Sequence, residues 1–379
     1  MARLAPPEAP LSPLQKVLRF HWGLALLIAA VACVGFLMLY SVAGGDLDPW
    51  ASRQMVRFGA GMAIMFGVAM IHVRYWRTLA PLTYLGSLAL LVAVEVAGET
   101  GMGATRWIAV GPLQLQPSEV MKIAVVLALA RYYDWLGEPR VSRPLWLLPP
   151  LLLILLPMAL VLKQPDLGTA LLLALGGAAV MWLAGVHWGY FLAAIALGVG
   201  LVTAVLESRG TDWQLLKDYQ YRRIETFLNP ESDPLGAGYH ITQSKIAFGS
   251  GGLSGRGFMQ GTQTRLNFLP EKHTDFIFTT LAEEFGFVGA VSLLILYGLI
   301  TLFCIVSAMA NRDRFGALLT GGIGATFFLF FSVNMAMVTG LAPVVGVPLP
   351  LVSYGGSAML VLLMAFGLAQ SAHVHRPRG

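Results

Sequence analysis

The sequence predicts an all-α, polytopic integral membrane protein of about ten transmembrane helices, with a large extracytoplasmic loop between helices 7 and 8. Three observations predict it. Of the 379 residues, 56% are hydrophobic and only 12% are charged, about half the charged share of an ordinary soluble domain. Mean hydropathy is +0.70. Apolar stretches of about 20 residues recur along the chain, each long enough to cross hydrocarbon as a helix. Composition excludes disordered and collagen-like classes, and Cys33 and Cys304 lie inside apolar runs, which excludes a disulfide scaffold. The net charge of +5 is spread between spans and forms no nucleic-acid patch.

The spans fall near 21–43, 55–73, 78–98, 118–136, 144–162, 167–185, 188–207, 276–308, 315–341 and 349–372. No small-residue cleavage site follows the first, so it reads as a permanent span. The fourth is interrupted by Glu119 and Lys122. Short connections make the fifth to seventh antiparallel neighbours in a bundle. No internal repeat marks an inverted-repeat transporter. Residues 1–379 thus read as a single membrane domain. Lys and Arg in short loops set its orientation. Arg3, Lys16, Arg19, Arg74, Arg77, Arg131, Arg140, Arg143, Arg312, Arg314, Arg376 and Arg378 collect on one side, and only Arg53, Arg106 and Lys163 on the other. The first side is therefore expected to be cytoplasmic, with tails 1–20 and 373–379 there and loop 208–275 outside.

Within that loop, "WQLLKDYQYRRIETFL" spaces Trp213, Leu216, Tyr219, Ile224 and Phe227 as a helix would, with Lys217, Arg222 and Arg223 between them. It suits an interfacial helix or a cap on the bundle. The Gly- and Ser-rich "SKIAFGSGGLSGRGFMQGTQT" suggests backbone open to a ligand, or a mobile lid.

Ionisable residues in or beside apolar spans are functional candidates, because lipid does not solvate them. Glu119 and Lys122, three apart in "QPSEVMK", share a helix face: either an intrahelical ion pair or the polar floor of an outward cavity. Pro117 suits the first turn there, with Gln116 or Ser118 as its cap. Asp166, beside Lys163 and Gln164, sits at a turn that does not require an aspartate. Arg53 and Arg57 either snorkel or lend positive charge to the same cavity. Arg106 and Trp107 suit an interfacial anchor. In "VPLPLVSYGGSAML", Pro348, Pro350, Gly355 and Gly356 break the helix at membrane depth, which is tolerated only where backbone is buried or lines a cavity. Ser353, Tyr354 and Ser357 then offer hydroxyls. In "FLPEKHTDFIF", Asp275 stands at the threshold of the eighth span beside Glu271 and His273. Two readings stand open, an N-cap or a partly desolvated general base. His273 reads as an orienting hydrogen-bond partner.

"TRWIAVGPLQLQPSEVMK", "KQPDLGTA", "DPLGAGYHITQSKIAFGSGGLSGRG", "FLPEKHTDFIF", "AEEFGFVG" and "PLPLVSYGGS" together resemble the SEDS proteins (shape, elongation, division and sporulation), in order and over nearly the whole chain. "QGTQT" followed by "LNFLPE" is closer to the elongation branch than to the division branch. One departure is Ala358, where relatives often carry a serine. The resemblance implies an inner-membrane glycosyltransferase that polymerises lipid II into β-1,4 peptidoglycan strands during cell elongation. It assigns Asp275 to the family's essential acid, and Glu119, Lys122 and Asp166 to its intramembrane polar cluster. Arg53 or Arg57 matches its basic residue and Trp107 its tryptophan. It implies as partners lipid II and the growing lipid-linked glycan, a class B penicillin-binding protein, other membrane proteins of the elongation complex and membrane lipid, with no nucleic acid.

On that resemblance Asp275 deprotonates the acceptor 4-hydroxyl, and Arg53, Arg106, Lys122 and Lys163 supply the field for a pyrophosphate leaving group. Glu271 and His273 orient the loop or acceptor. No dedicated metal cage is written in the sequence; a divalent cation (Mg or Mn) bridging carboxylates and pyrophosphate is the one cofactor left open. Rival readings are a lipid-linked precursor flippase, which needs access to both faces, and a non-catalytic scaffold, which leaves Asp275 without a purpose.

Overall fold

The computed structural model describes residues 11–377 apart from 98, 102–103, 111–112, 212–213, 215–220, 222–236, 267 and 270. The expected helix at 213–228 therefore lies almost wholly outside the described residues. After a short α1 (Pro13–Arg19), closed by a Ser12/Gln15 capping box, come α2 (Trp22–Val42), α3 (Ala51–Met70) and α4 (Val73–Ala97). A three-stranded antiparallel sheet follows in the order β1 (Glu99–Gly101), β2 (Ala104–Val110) and β3 (Leu113–Leu115). Then come α5 (Pro117–Leu136), α6 (Pro144–Lys163), α7 (Leu167–Leu183), α8 (Trp188–Glu207), α9 (Ala237–Gly251), α10 (Thr262–Arg265), α11 (Ile277–Met309), α12 (Arg314–Val338) and α13 (Gly356–Val374).

Seven of the described helices are long and apolar enough to cross a membrane: α2, α4, α6, α8, α11, α12 and α13. α7 is apolar but has 17 residues, α3 carries Arg53 and Arg57 in its first two turns, and α5 carries Glu119, Lys122, Arg131 and Asp134. The expectation of an all-helical chain needs one correction, the sheet. Its signal was present in "TRWIAV", rich in β-formers, followed by Gly–Pro and "LQL".

The core sits where α3 packs on α13, α11 on α12, α4 on α5, and α7 on both α6 and α12. At the end opposite the sheet, Arg77 pairs with Asp313 and Asp134, and Arg131 also pairs with Asp134, joining α4, α5 and α12. α8 departs from the expected bundle, because none of its residues is buried. Most of its apolar side chains face outward, and Phe191 is partly buried against the core.

α11 is broken at Gly286 (φ 66°, ψ −160°). The groups freed by the break are satisfied by the glycine-rich stretch, which lies against it. Phe287 N and Val288 N donate to the carbonyls of Gly252 and Leu253, while Arg256 N and Gly257 N donate to those of Glu283 and Glu284. A Cβ at Gly255 would collide with the Glu284 carbonyl, and one at Gly286 with Gly255 N. These glycines thus permit close approach to another backbone, and this part of the stretch forms a strap that rebuilds a broken helix. Gly286→Ala should lower stability by about 2 kcal/mol or more, since positive φ and overlap act together. Thermal melting in detergent checks it.

Candidate active site

Three pieces of irregular backbone meet at one end of the bundle: the turn 271–276, the loop 340–355 and the α6–α7 corner. Ser353 Oγ donates to Thr274 O at 2.5 Å and accepts from Leu349 N at 2.7 Å. Tyr354 N donates to His273 O at 2.9 Å. The fully buried Asn334 of α12 donates from Nδ2 to both Asp275 O (3.0 Å) and Val347 O (2.7 Å). Irregular segments buried in a membrane protein need such partners, so the turn carrying Asp275 is held from two sides.

Asp275 does not cap α11. That position belongs to Phe276, without a side-chain cap bond, and among the described residues the Asp275 carboxylate accepts no hydrogen bond. Gly346 lies against it, where an added Cβ would stand 3.7 Å from Oδ2. Burial, then the charges of Glu271 and Asp166, push its pKa up from 3.8 to about 6. Glu271 itself accepts from Thr274 Oγ1 at 2.8 Å, which closes the turn. Burial lowers the pKa of His273, and its ring lies stacked 4.7 Å from Trp50 at 17°.

Asp166 is the N-cap of α7. Its carboxylate accepts from Thr169 N and Oγ1 and from Gln116 Nε2 (3.2 Å), with Arg106 Nη1 at 3.9 Å. Arg106, on β2, also donates to the carbonyls of Gln164 (2.9 Å) and Pro165 (2.5 Å), and so pins the α6–α7 corner. Gln116 occupies the N-cap position of α5, but its side chain goes to Asp166 instead of capping, and its backbone N donates to Ser357 Oγ. Below lies the buried pair Lys122–Glu119 at 2.7 Å, with Nζ also 3.8 Å above the Phe330 ring. Ser118 is buried there, its hydroxyl without a partner among the described residues. Glu119 and Lys122 open into a narrow, mainly apolar cavity that runs past Gln54, Phe330 and Leu362 and reaches Ser353.

On α3, Arg57 stacks over Tyr354 at 4.8 Å, and its Nη1 is buried without a partner among the described residues. Arg53, one turn earlier, is exposed, as is Lys163 at the end of α6. Trp107 is half-buried on β2. Asp275, Asp166, Arg106, Gln116, Glu271, His273, Ser353, Tyr354 and Ser357 thus form one connected group, with Glu119 and Lys122 beneath it. Arg53 and Lys163 stand outside it. Sequence reasoning missed Trp50, Asn334 and Gln54. Trp50 directly precedes the second span, where a tryptophan reads as an ordinary interfacial anchor; Asn334 and Gln54 lie inside apolar runs and should have been flagged as intramembrane polar groups. Among the described residues no group of three or more His, Cys, Asp or Glu is placed to hold a metal ion.

Known proteins resemble this chain over nearly its whole length. The cell cycle protein model that groups FtsW, RodA and SpoVE matches residues 20–378. The peptidoglycan glycosyltransferase MrdB of Escherichia coli K12 is 43% identical over 351 residues, covering 93% of this chain and 92% of that protein. A probable peptidoglycan glycosyltransferase FtsW of Trichlorobacter lovleyi is 36% identical over 363 residues, covering 93% of each. Among solved structures, a chain of a peptidoglycan synthase complex that coordinates polymerization and crosslinking superposes with TM-score 0.79 at 35% identity, covering 93% of this chain and 97% of that one. The rod shape determining protein RodA of Thermus thermophilus gives TM-score 0.70 at 32% identity, covering 95% and 98%.

Proposed function

Because this chain belongs to the cell cycle protein family of FtsW, RodA and SpoVE, and is a peptidoglycan glycosyltransferase of the elongation type, we propose that it polymerises lipid II with Asp275 as general base. The observation that carries the assignment of the base is the Asp275 carboxylate itself. It is uncapped, partly buried, raised to about 6, and placed within the field of Asp166. A base with that affinity is ionised at neutral pH yet holds a proton well enough to take one in the transition state.

Asp275 removes the proton of the acceptor sugar's 4-hydroxyl as that oxygen attacks the donor's anomeric carbon. The bond from that carbon to phosphate breaks, configuration inverts, and polyprenyl diphosphate leaves. Arg57, with a buried N–H that has no partner among the described residues, together with Arg106 and Lys122, meets the charge that develops on the diphosphate. The apolar cavity beneath Lys122 suits the first isoprene units of the tail. Trp50 and His273 hold the turn in register.

The same reading places α3, α5 and α7 across the membrane with the seven longer helices, giving about ten spans. The arginine-rich loops and both termini are then cytoplasmic and the loop after α8 extracytoplasmic. A class B penicillin-binding protein is the expected transpeptidase partner, consistent with the synthase complex of its structural neighbour.

The test is a lipid II assay with the purified chain and such a transpeptidase. Long glycans are expected on gels, with the rate rising as pH increases through about 6, because the reactive form of Asp275 is the ionised one. A monodisperse complex that makes no polymer between roughly pH 5 and 8 overturns the assignment.

A further inference from the structure

Three successive carbonyls of the turn that carries the base each have a donor. His273 O accepts from Tyr354 N, Thr274 O from Ser353 Oγ, and Asp275 O from Asn334 Nδ2 at 3.0 Å. The first two donors belong to loop 340–355. The third comes from α12, and its other hydrogen goes to Val347 O at 2.7 Å, so one carboxamide ties the base to the stretch 345–347. That stretch has a fixed seat. A Cβ at Gly168, in the first turn of α7, would collide with the Val345 carbonyl, and Gly346, at φ 69°, lies against Asp275 Oδ2. Residues 345–347 are therefore a spacer between Asp275 and the start of α7, where Asp166 is the cap.

For packing alone Asn334 is an unfavourable side chain. It is 0% exposed, and its Oδ1 has no donor among the described residues. A half-satisfied amide in an apolar core destabilises the fold relative to an apolar side chain of similar volume. What the amide does supply is the placement of the two carbonyls that its Nδ2 holds. The Asp275 carboxylate accepts no hydrogen bond of its own among the described residues, so its place is set by its backbone. We propose that Asn334 is a positioning residue for the base: by clamping Asp275 O to Val347 O, it holds the carboxylate against Gly346 and fixes its distance from Asp166. The inference rests on the base assignment above. The charges that bear on the carboxylate are Glu271 in the same turn and Asp166 at the head of α7. Loop 340–355 contains no Asp, Glu, Lys, Arg or His, and α12 only Arg314 at its far end. Release of the clamp therefore changes the burial of the carboxylate and its separation from Asp166 without bringing a new charge to it.

Two variants test it, with kcat and KM for lipid II measured against pH. Asn334→Leu removes both donors at similar volume, and Asn334→Ser keeps a hydroxyl too short to reach both carbonyls. Asn334→Leu should lower kcat by about tenfold to a hundredfold while KM stays within about threefold, because the base is misplaced and the substrate contacts are not. The inflection of kcat against pH, near 6 in the parent, should fall by about one unit as the carboxylate leaves its buried seat. Loss of folded protein alone scales the rate equally at every pH and leaves the inflection in place. Parent kcat in a monodisperse Asn334→Leu overturns the proposal, and so does a lower kcat with the inflection unmoved or raised. If Asn334→Leu aggregates, Asn334→Ser is read by the same quantities, with the same outcomes. Asp275→Asn, run alongside, separates the two claims. If it polymerises as the parent does, the base assignment fails and the clamp with it; if it is inactive while the Asn334 variants match the parent, the clamp alone fails.

Discussion

Asp275→Asn is expected to lose glycan polymerisation by about a thousandfold or more, because the amide keeps the shape but takes no proton. The same variant should be more stable than the parent at high pH. The sign follows from the direction of the shift. The folded state raises the Asp275 pKa from 3.8 to about 6, so it binds the proton more tightly than the unfolded chain does. Ionised Asp275 is therefore a liability of the fold, absent at low pH and fully present above about 6. Its ceiling is about 3 kcal/mol, and partial solvent access reduces that. Asparagine removes the liability. Melting temperatures of parent and variant should agree near pH 4 and separate, with the variant higher, by pH 8. A variant that melts lower at both values would mean that the carboxylate serves the fold, as a cap would, and that chemistry lies elsewhere.

Lys122→Met is the second large effect. Lys122 and Glu119 are 4% and 7% exposed and 2.7 Å apart. Removing the ammonium leaves a buried carboxylate with no counter-charge, a loss of about 3–5 kcal/mol. The double variant Glu119→Leu/Lys122→Met is the informative one. A buried pair replaced by apolar side chains of similar volume is often neutral or stabilising, so melting should return close to the parent. If the pair were only an internal staple, activity would return with stability. Because Lys122 also faces the apolar cavity that reaches Ser353, we expect the double variant to fold and to remain at least about tenfold slower. Recovery of full polymerisation with full stability would demote the pair to a structural element.

Much of the site was legible in the chain because hydrocarbon makes each ionisable group conspicuous. Glu119, Lys122, Asp166 and Asp275 stand out against apolar neighbours, and each lies in the site or just beneath it. Legibility fell off where two residues of one type share a helix face. Arg53 and Arg57 are four apart on α3, and one turn decides that Arg57 reaches Tyr354 while Arg53 faces out. Lys163 was equally ambiguous, since its long side chain at a helix end points inward or outward with little local signal. The sheet at 99–115 was overlooked because it sits between strong helical signals, yet it carries Arg106 to Asp166.

Composition and spacing alone determined the membrane class, most helix positions and the ionisable residues at the ends of the spans, since burial in lipid leaves a direct record in residue type. Tertiary structure decided the rest. It gave the capping role to Asp166 and withheld it from Asp275. It turned a glycine-rich loop into the strap of a broken helix, and placed Trp50, Asn334 and Ser353 around the turn from distant parts of the chain. The physical reason is range. Hydropathy and local capping act over a few residues, whereas the proton affinity of Asp275 depends on burial and on a charge more than a hundred residues away, which exist together only once the helices have packed.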